Sequence, residues 1–180
     1  DIEPLLPHDL RPAGEAKANE DEGELTAARR LLRRVKKTFR WLDVVVADGL
    51  YSNGPFLTDV QKLGMGAVVI AKKETDEPLK EALSLWRGQP PHEVIEDKEA
   101  KERVTLWDCP EVETLDTYKG PIRVVRGRVV HTDDPTATEH TWCMLVTGKA
   151  TRLSSRRVLA VARGRWHIEH TGFHQWTTRW

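Results

Sequence analysis

The stretch VVVADGLYSNGPF, Val44 to Phe56, carries consecutive apolar residues into Asp48 and then breaks into turn residues. A run this short, β-branched and without polar alternation suits a strand covered on both faces better than a helix. The sequence predicts that strand over Leu42–Ala47, with Asp48 at its end. After Ser52, Asn53 and Gly54, Pro55 suits the first turn of a helix, Phe56, Val60 and Leu63 form its apolar stripe, and Gly64 stops it. Ala67–Ala71 then reads as a second apolar strand. Strand, helix and strand in this order predict a right-handed parallel crossover. The Asp48-Gly49 pair is also a hairpin signal, but the helical pattern after it opposes a hairpin.

The other segments are arranged around this unit. Residues 7–23 are rich in Pro, Gly, Ala and acidic groups and are predicted to form a loop. From Glu24, Leu25, Ala28, Leu32, Val35 and Phe39 recur at helical spacing, and the opposite face carries Arg29, Arg30, Arg33, Arg34, Lys36 and Lys37. That face is either a solvated surface or a phosphate contact. Between Glu74 and Thr151, charged loops are expected around short strands at Arg103–Trp107, Ile122–His131 and Trp142–Thr147. A long helix is predicted from Ser154 or Ser155 toward Trp176. The expected organisation is a core over 1–73, a mostly β segment over 74–153 and a closing helix over 154–180.

Lys plus Arg and Asp plus Glu are equal at 28, so no whole-molecule field draws the chain to nucleic acid or membrane. No apolar run approaches the roughly 20 residues of a membrane helix, and there is no secretory signal, which predicts a cytoplasmic protein. Cys109 and Cys143 are isolated, as expected for free buried thiols. The sequence opens on Asp1 rather than Met and closes on Trp180 within a helical pattern, as a fragment would.

On the last helix, 100° per residue puts Val158, Ala162, Arg165, Glu169, Phe173 and Trp176 on one stripe. Glu169 therefore falls on a face expected to be buried, where an ionised carboxylate is costly without a cation or metal. Arg165, four residues earlier, is a weak counter-charge in that orientation. Asp48 either caps a turn through its own backbone or sits where ligands gather beyond the carboxyl ends of parallel strands. Together the two acids suggest a hard-cation site, in which carboxylates hold paired Mg²⁺ ions for phosphodiester chemistry.

VVADGLYSNGPF around Asp48, the crossover unit ending in Lys72 and RGRWHIEHTGF around Glu169 together resemble a bacterial insertion-sequence transposase of the DDE class. The likeness is to the branch with a β insertion and a Y-R-E-K signature, and it covers nearly the whole chain. It implies a partial RNase H-like α/β core, a mixed sheet with flanking helices, interrupted by a mostly β insertion. By this resemblance Asp48 is the second catalytic aspartate, Glu169 the third acid, and both hold two Mg²⁺ ions, with Mn²⁺ able to substitute. Arg165 matches the signature arginine that contacts transposon-end DNA. Trp142 matches a tryptophan that stacks on a flipped base, or is an ordinary packed strand residue. Lys72 and Lys73 match basic residues near DNA, or cap a solvated strand end. Two signature positions differ: Ala162 stands for the tyrosine and Trp176 for the lysine, a role that Arg179 would fill after a register shift.

The first catalytic aspartate is expected upstream of the DIEP segment, so the resemblance implies that this chain does not cleave DNA by itself. The partners implied are double-stranded DNA at transposon ends and target, and a second copy in a synaptic homodimer, in a bacterial, nucleoid-associated setting. The alternatives are a non-catalytic DNA-binding or assembly module, including an inactive transposase remnant, and an RNase H-like nuclease that never joins strands. His167, His170 and His174 fall within about 60° on one helix, but point away from Glu169 and lack HExxH, which disfavours zinc. No G-x-S-x-G or GK[ST] motif supports nucleophilic or nucleotide chemistry.

Overall fold

The computed structural model describes residues 23–71, 77–113, 115, 117–133, 136 and 138–167, with side chains through Arg165. Residues 7–22 of the loop expected over 7–23 and the positions of Lys72, Lys73, Glu169, His170, His174, Trp176 and Arg179 lie outside the described residues. The chain divides into two units, Asp1–Leu42 and Asp43–Trp180.

In the first unit, the amphipathic pattern forms α1 (Glu24–Thr38). Lys36 closes its end by donating from Nζ to the carbonyls of Arg40 (2.8 Å) and Leu42 (2.6 Å). The Leu42 amide donates to the Phe39 carbonyl at 3.0 Å, which makes a fixed turn of Phe39–Leu42.

In the second unit, β1 (Val44–Ala47), α2 (Gly54–Lys62) and β2 (Gly66–Ile70) form the expected crossover, and β1 pairs with β2 in parallel. Asn53 caps α2 by accepting from the Phe56 amide at 3.0 Å, and Pro55 lies in the first turn. Gly64 ends the helix at φ +68°, a backbone region that glycine enters without a Cβ penalty.

Strands β3 (Glu93–Asp97), β4 (Glu102–Val112), β5 (Ile122–His131) and β6 (His140–Gly148) complete the sheet. Among the described residues it is one mixed sheet of six strands in the order β1-β2-β6-β5-β4-β3. Strand β6 pairs antiparallel with β2, so the β-rich segment and the crossover share a single hydrogen-bonded layer. A mixed sheet with flanking helices is the α/β architecture of a partial RNase H-like fold.

Three elements depart from the sequence expectation. Charge density predicts loops from Glu74 to Arg103, yet Glu77–Trp86 forms α3 and Glu93–Asp97 forms β3. Leu79, Ala82, Leu83 and Trp86 do recur at helical spacing, with Leu79 and Ala82 at 1% and 0% exposure, but the charged residues before and between them hide the pattern. Strand β4 runs past Trp107 because a register shift between Cys109 and Val112 accommodates Pro110, which would otherwise end a strand.

Helix α4 (Ser155–His167) packs over one sheet face, where Val158, Leu159 and Ala162 join Val68, Leu106, Val125, Met144 and Val146 in a common core. Its cap is Ser154, whose carbonyl and Oγ receive the amides of Val158 (2.9 Å) and Arg157 (3.4 Å). Helices α2 and α3 also contact the sheet. At Gly66 a Cβ would stand 2.1 Å from the Ala150 amide nitrogen and 2.5 Å from the Thr147 carbonyl oxygen. Backbone cannot rotate aside as a side chain can, so Gly66→Ala is expected to cost about 2 kcal/mol or more in chemical denaturation. Gly64→Ala, in open space, should cost about 1 kcal/mol through its positive φ.

Candidate active site

Asp48 leaves β1 in extended backbone, φ −89° and ψ −179°, and begins a short 3₁₀ helix, Gly49–Tyr51. Its Oδ1 accepts from the Leu50 amide at 3.0 Å, the local cap anticipated from sequence. Its Oδ2 stands 3.9 Å from a guanidinium nitrogen of Arg165, and the two side chains are 21% and 25% exposed. A residue on the last helix has thus been brought, across 117 positions of sequence, to the carboxylate that ends the first strand.

The topology explains the meeting. Strand β1 is parallel to β2, and successive antiparallel pairings to β6, β5 and β4 make β4 run opposite to β1. Near its start, α4 places Ser155 on Asp108 of β4; near its end, Arg163 clasps Glu102 of the same strand with two bonds of 2.8 and 2.9 Å. The helix therefore runs against β4 and along β1, and its later residues reach the carboxyl end of β1.

The start of α4 is held by a nearly dry network that no sequence motif announces. Arg123 on β5 donates to both oxygens of Asp108, to Ser155 Oγ (3.0 Å) and to the carbonyls of Thr151 (3.0 Å) and Leu153. Burial opposes the Asp108 charge, but hydrogen bonds from Arg123 and Ser155 outweigh it and hold the carboxyl below the usual carboxylate range. Arg156 adds a third clamp to Glu93 of β3. The available signal was inward register: Asp108 faces Val125 and Arg123 faces Val146 in otherwise apolar rows.

Trp142 lies two residues into β6, opposite Gly127, and packs partly buried against the core under α4. It also lines an open cavity of about 370 Å³ with Glu102, Val129, His131, His140, Thr141 and Arg163. That position is on the sheet edge where β1, β2 and β5 end. Extending the register from Ala47↔Val69↔Leu145 puts Asp48 level with Met144, two strands from β6, so about 10 Å separates the two columns. Asp43, by contrast, precedes β1 and pairs with Lys149 at 2.7 Å, at the opposite end of the strand.

The carboxylate oxygens of Asp48 are the donor type that a hard divalent cation takes. Among the described residues no group of three or more His, Cys, Asp or Glu is placed to hold a metal, and Glu169 lies beyond them. A family model for the transposase DDE domain matches residues 7–180. The chain belongs to the DDE transposases. The family's members bind DNA and carry out metal-dependent strand cleavage and transfer during transposition and recombination. No curated protein matches the chain. No described helix of this transposase domain is long and apolar enough to cross a membrane.

Proposed function

We propose that this chain belongs to the catalytic domain of an insertion-sequence transposase of the Y-R-E-K branch, which in the intact protein acts on double-stranded DNA at the element's ends and at the target. The observation that carries the reading is the approach of Arg165 to Asp48 at the carboxyl end of β1, four residues before Glu169. Asp48 and Glu169 would hold two Mg²⁺ ions, or Mn²⁺ in their place. Such ions, when bound, stabilise charge on the attacking and leaving oxygens of a phosphodiester. Arg165 orients the scissile strand through its phosphates, Lys72 and Lys73 add backbone contacts beyond β2, and Trp142 stacks on an unpaired base. The working form is a homodimer that holds two ends together, in a bacterial cytoplasm at the nucleoid.

The test is incubation of the full-length protein with end-containing duplex and Mg²⁺ or Mn²⁺. Joined products are expected. Nicked DNA that is never joined identifies an RNase H-like nuclease, and binding without cleavage identifies an assembly module. Arg165→Ala should weaken binding of end DNA by about 10-fold or more, the loss of one charge-assisted phosphate contact. Arg165→Lys should restore only part, because it lacks the planar fork. Fluorescence anisotropy on end-containing and unrelated duplexes checks both.

A further inference from the structure

Helix α1, in the first unit, carries a charged surface of its own. Around the helix at 100° per residue, Arg29, Arg30, Arg33, Arg34, Lys36 and Lys37 fill one continuous arc of about 160°, and Arg40 follows in the turn beyond the helix. Leu25, Ala28, Leu31, Leu32, Val35 and Phe39 fill the other side. Glu24 is the one acidic residue in the helix. Arg33, Arg34, Lys37 and Arg40 are exposed; Arg33 and Lys37 follow one another along one face of the helix, and Arg40 stands in the turn after it.

The turn after the helix adds an independent feature. Trp41 is 76% exposed and Phe39 45%, and their rings meet edge to face at 6.0 Å between centroids. Lys36 and the Leu42 amide fix this turn, so the indole is presented on an ordered backbone. Cations in a row beside an ordered, solvent-facing indole match a nucleic-acid strand, with phosphates for the cations and an unpaired base for the ring. An amphipathic basic helix can also lie on an anionic lipid surface. Here, however, the exposed rings of Phe39 and Trp41 are confined to the turn after the helix, and the chain belongs to a DNA-binding family, which favours DNA.

We propose that α1 and the Phe39–Leu42 turn form a sequence-independent DNA-binding strip, with Arg33, Lys37 and Arg40 on successive phosphates and Trp41 on an unpaired base beside them. The proposal rests on DNA being the partner, but not on the assignment of Asp48 and Glu169.

The experiment measures binding of the full-length protein to an unrelated duplex with a single-stranded extension, across a NaCl series. The triple variant Arg33→Gln/Lys37→Gln/Arg40→Gln should flatten the plot of log K against log [salt] by about 2 to 3 and weaken end-containing and unrelated DNA equally. Trp41→Ala should weaken the extended duplex by about fivefold or more, with Trp41→Phe recovering most of it. Arg40→Glu serves as a single-site check if the triple variant does not fold. An unchanged salt slope overturns the proposal, as does a loss confined to end-containing DNA, or unchanged DNA binding with lost binding to phosphatidylserine vesicles. Failure of strand joining with these binding results intact would instead count against the proposed function.

Discussion

In the full-length protein, Asp48→Asn is expected to cut metal-dependent strand cleavage by about a thousandfold while leaving the melting midpoint within about 2 °C of the parent. The two halves of this result separate the roles of the residue. Asparagine keeps a carbonyl oxygen that can accept the Leu50 amide at the position of Oδ1, and it caps as well as aspartate does. What it removes is the negative charge. If that charge helps hold divalent ions at the reacting phosphate, its loss costs about 4 kcal/mol of transition-state stabilisation, and each 1.36 kcal/mol is tenfold in rate. A residue that merely caps the 3₁₀ turn predicts the opposite pattern, with full activity for Asp48→Asn and about 1 kcal/mol of lost stability for Asp48→Ala. Single-turnover cleavage of a nicked end substrate, together with thermal melts of both variants, distinguishes the cases.

The crossover unit was legible because every local signal there agreed. The β-branched run, the Asn53 cap, the first-turn proline and Gly64 each specify the same local geometry. The stripe through Val158, Ala162 and Arg165 was legible for a related reason, since helical period alone decides which side chains face the sheet. Helix α3 was not, although Leu79, Ala82, Leu83 and Trp86 keep helical spacing, because the charges around them mimic a loop. Nor was the lie of α4 along β1, which depends on the order of strands, and pairing β6 beside β2 is a tertiary choice that no window of sequence contains. The Asp108 and Arg123 network was hidden by the same circumstance. Each is one of several charged residues in its strand, and which of them turns inward to a partner is known only once the register is.

That network makes the other large prediction. Asp108→Ala leaves Arg123, whose side chain is 10% exposed, without its counter-charge at the start of α4. Breaking a buried pair by removing one member costs about 3 to 5 kcal/mol. For a chain of this size that should lower the melting midpoint by about 6 to 20 °C. Removing both charges in Asp108→Leu/Arg123→Met should recover much of the loss. Recovery should stay incomplete, because the Thr151 and Leu153 carbonyls lose the donor that Arg123 gives them. The folded carboxyl is held below its unfolded value near 3.9, so its contribution is fully present above about pH 4 and disappears as pH falls through the lower folded value. Urea midpoints measured from pH 7 down to pH 3 should therefore fall less steeply for Asp108→Asn than for the parent. The same loosening should reach the candidate site, because the clamp that sets where α4 begins also sets whether Arg165, about 15 Å further along the helix, arrives at Asp48. Cleavage should thus decline in Asp108→Asn at temperatures where the protein is still folded, and do so more than DNA binding does.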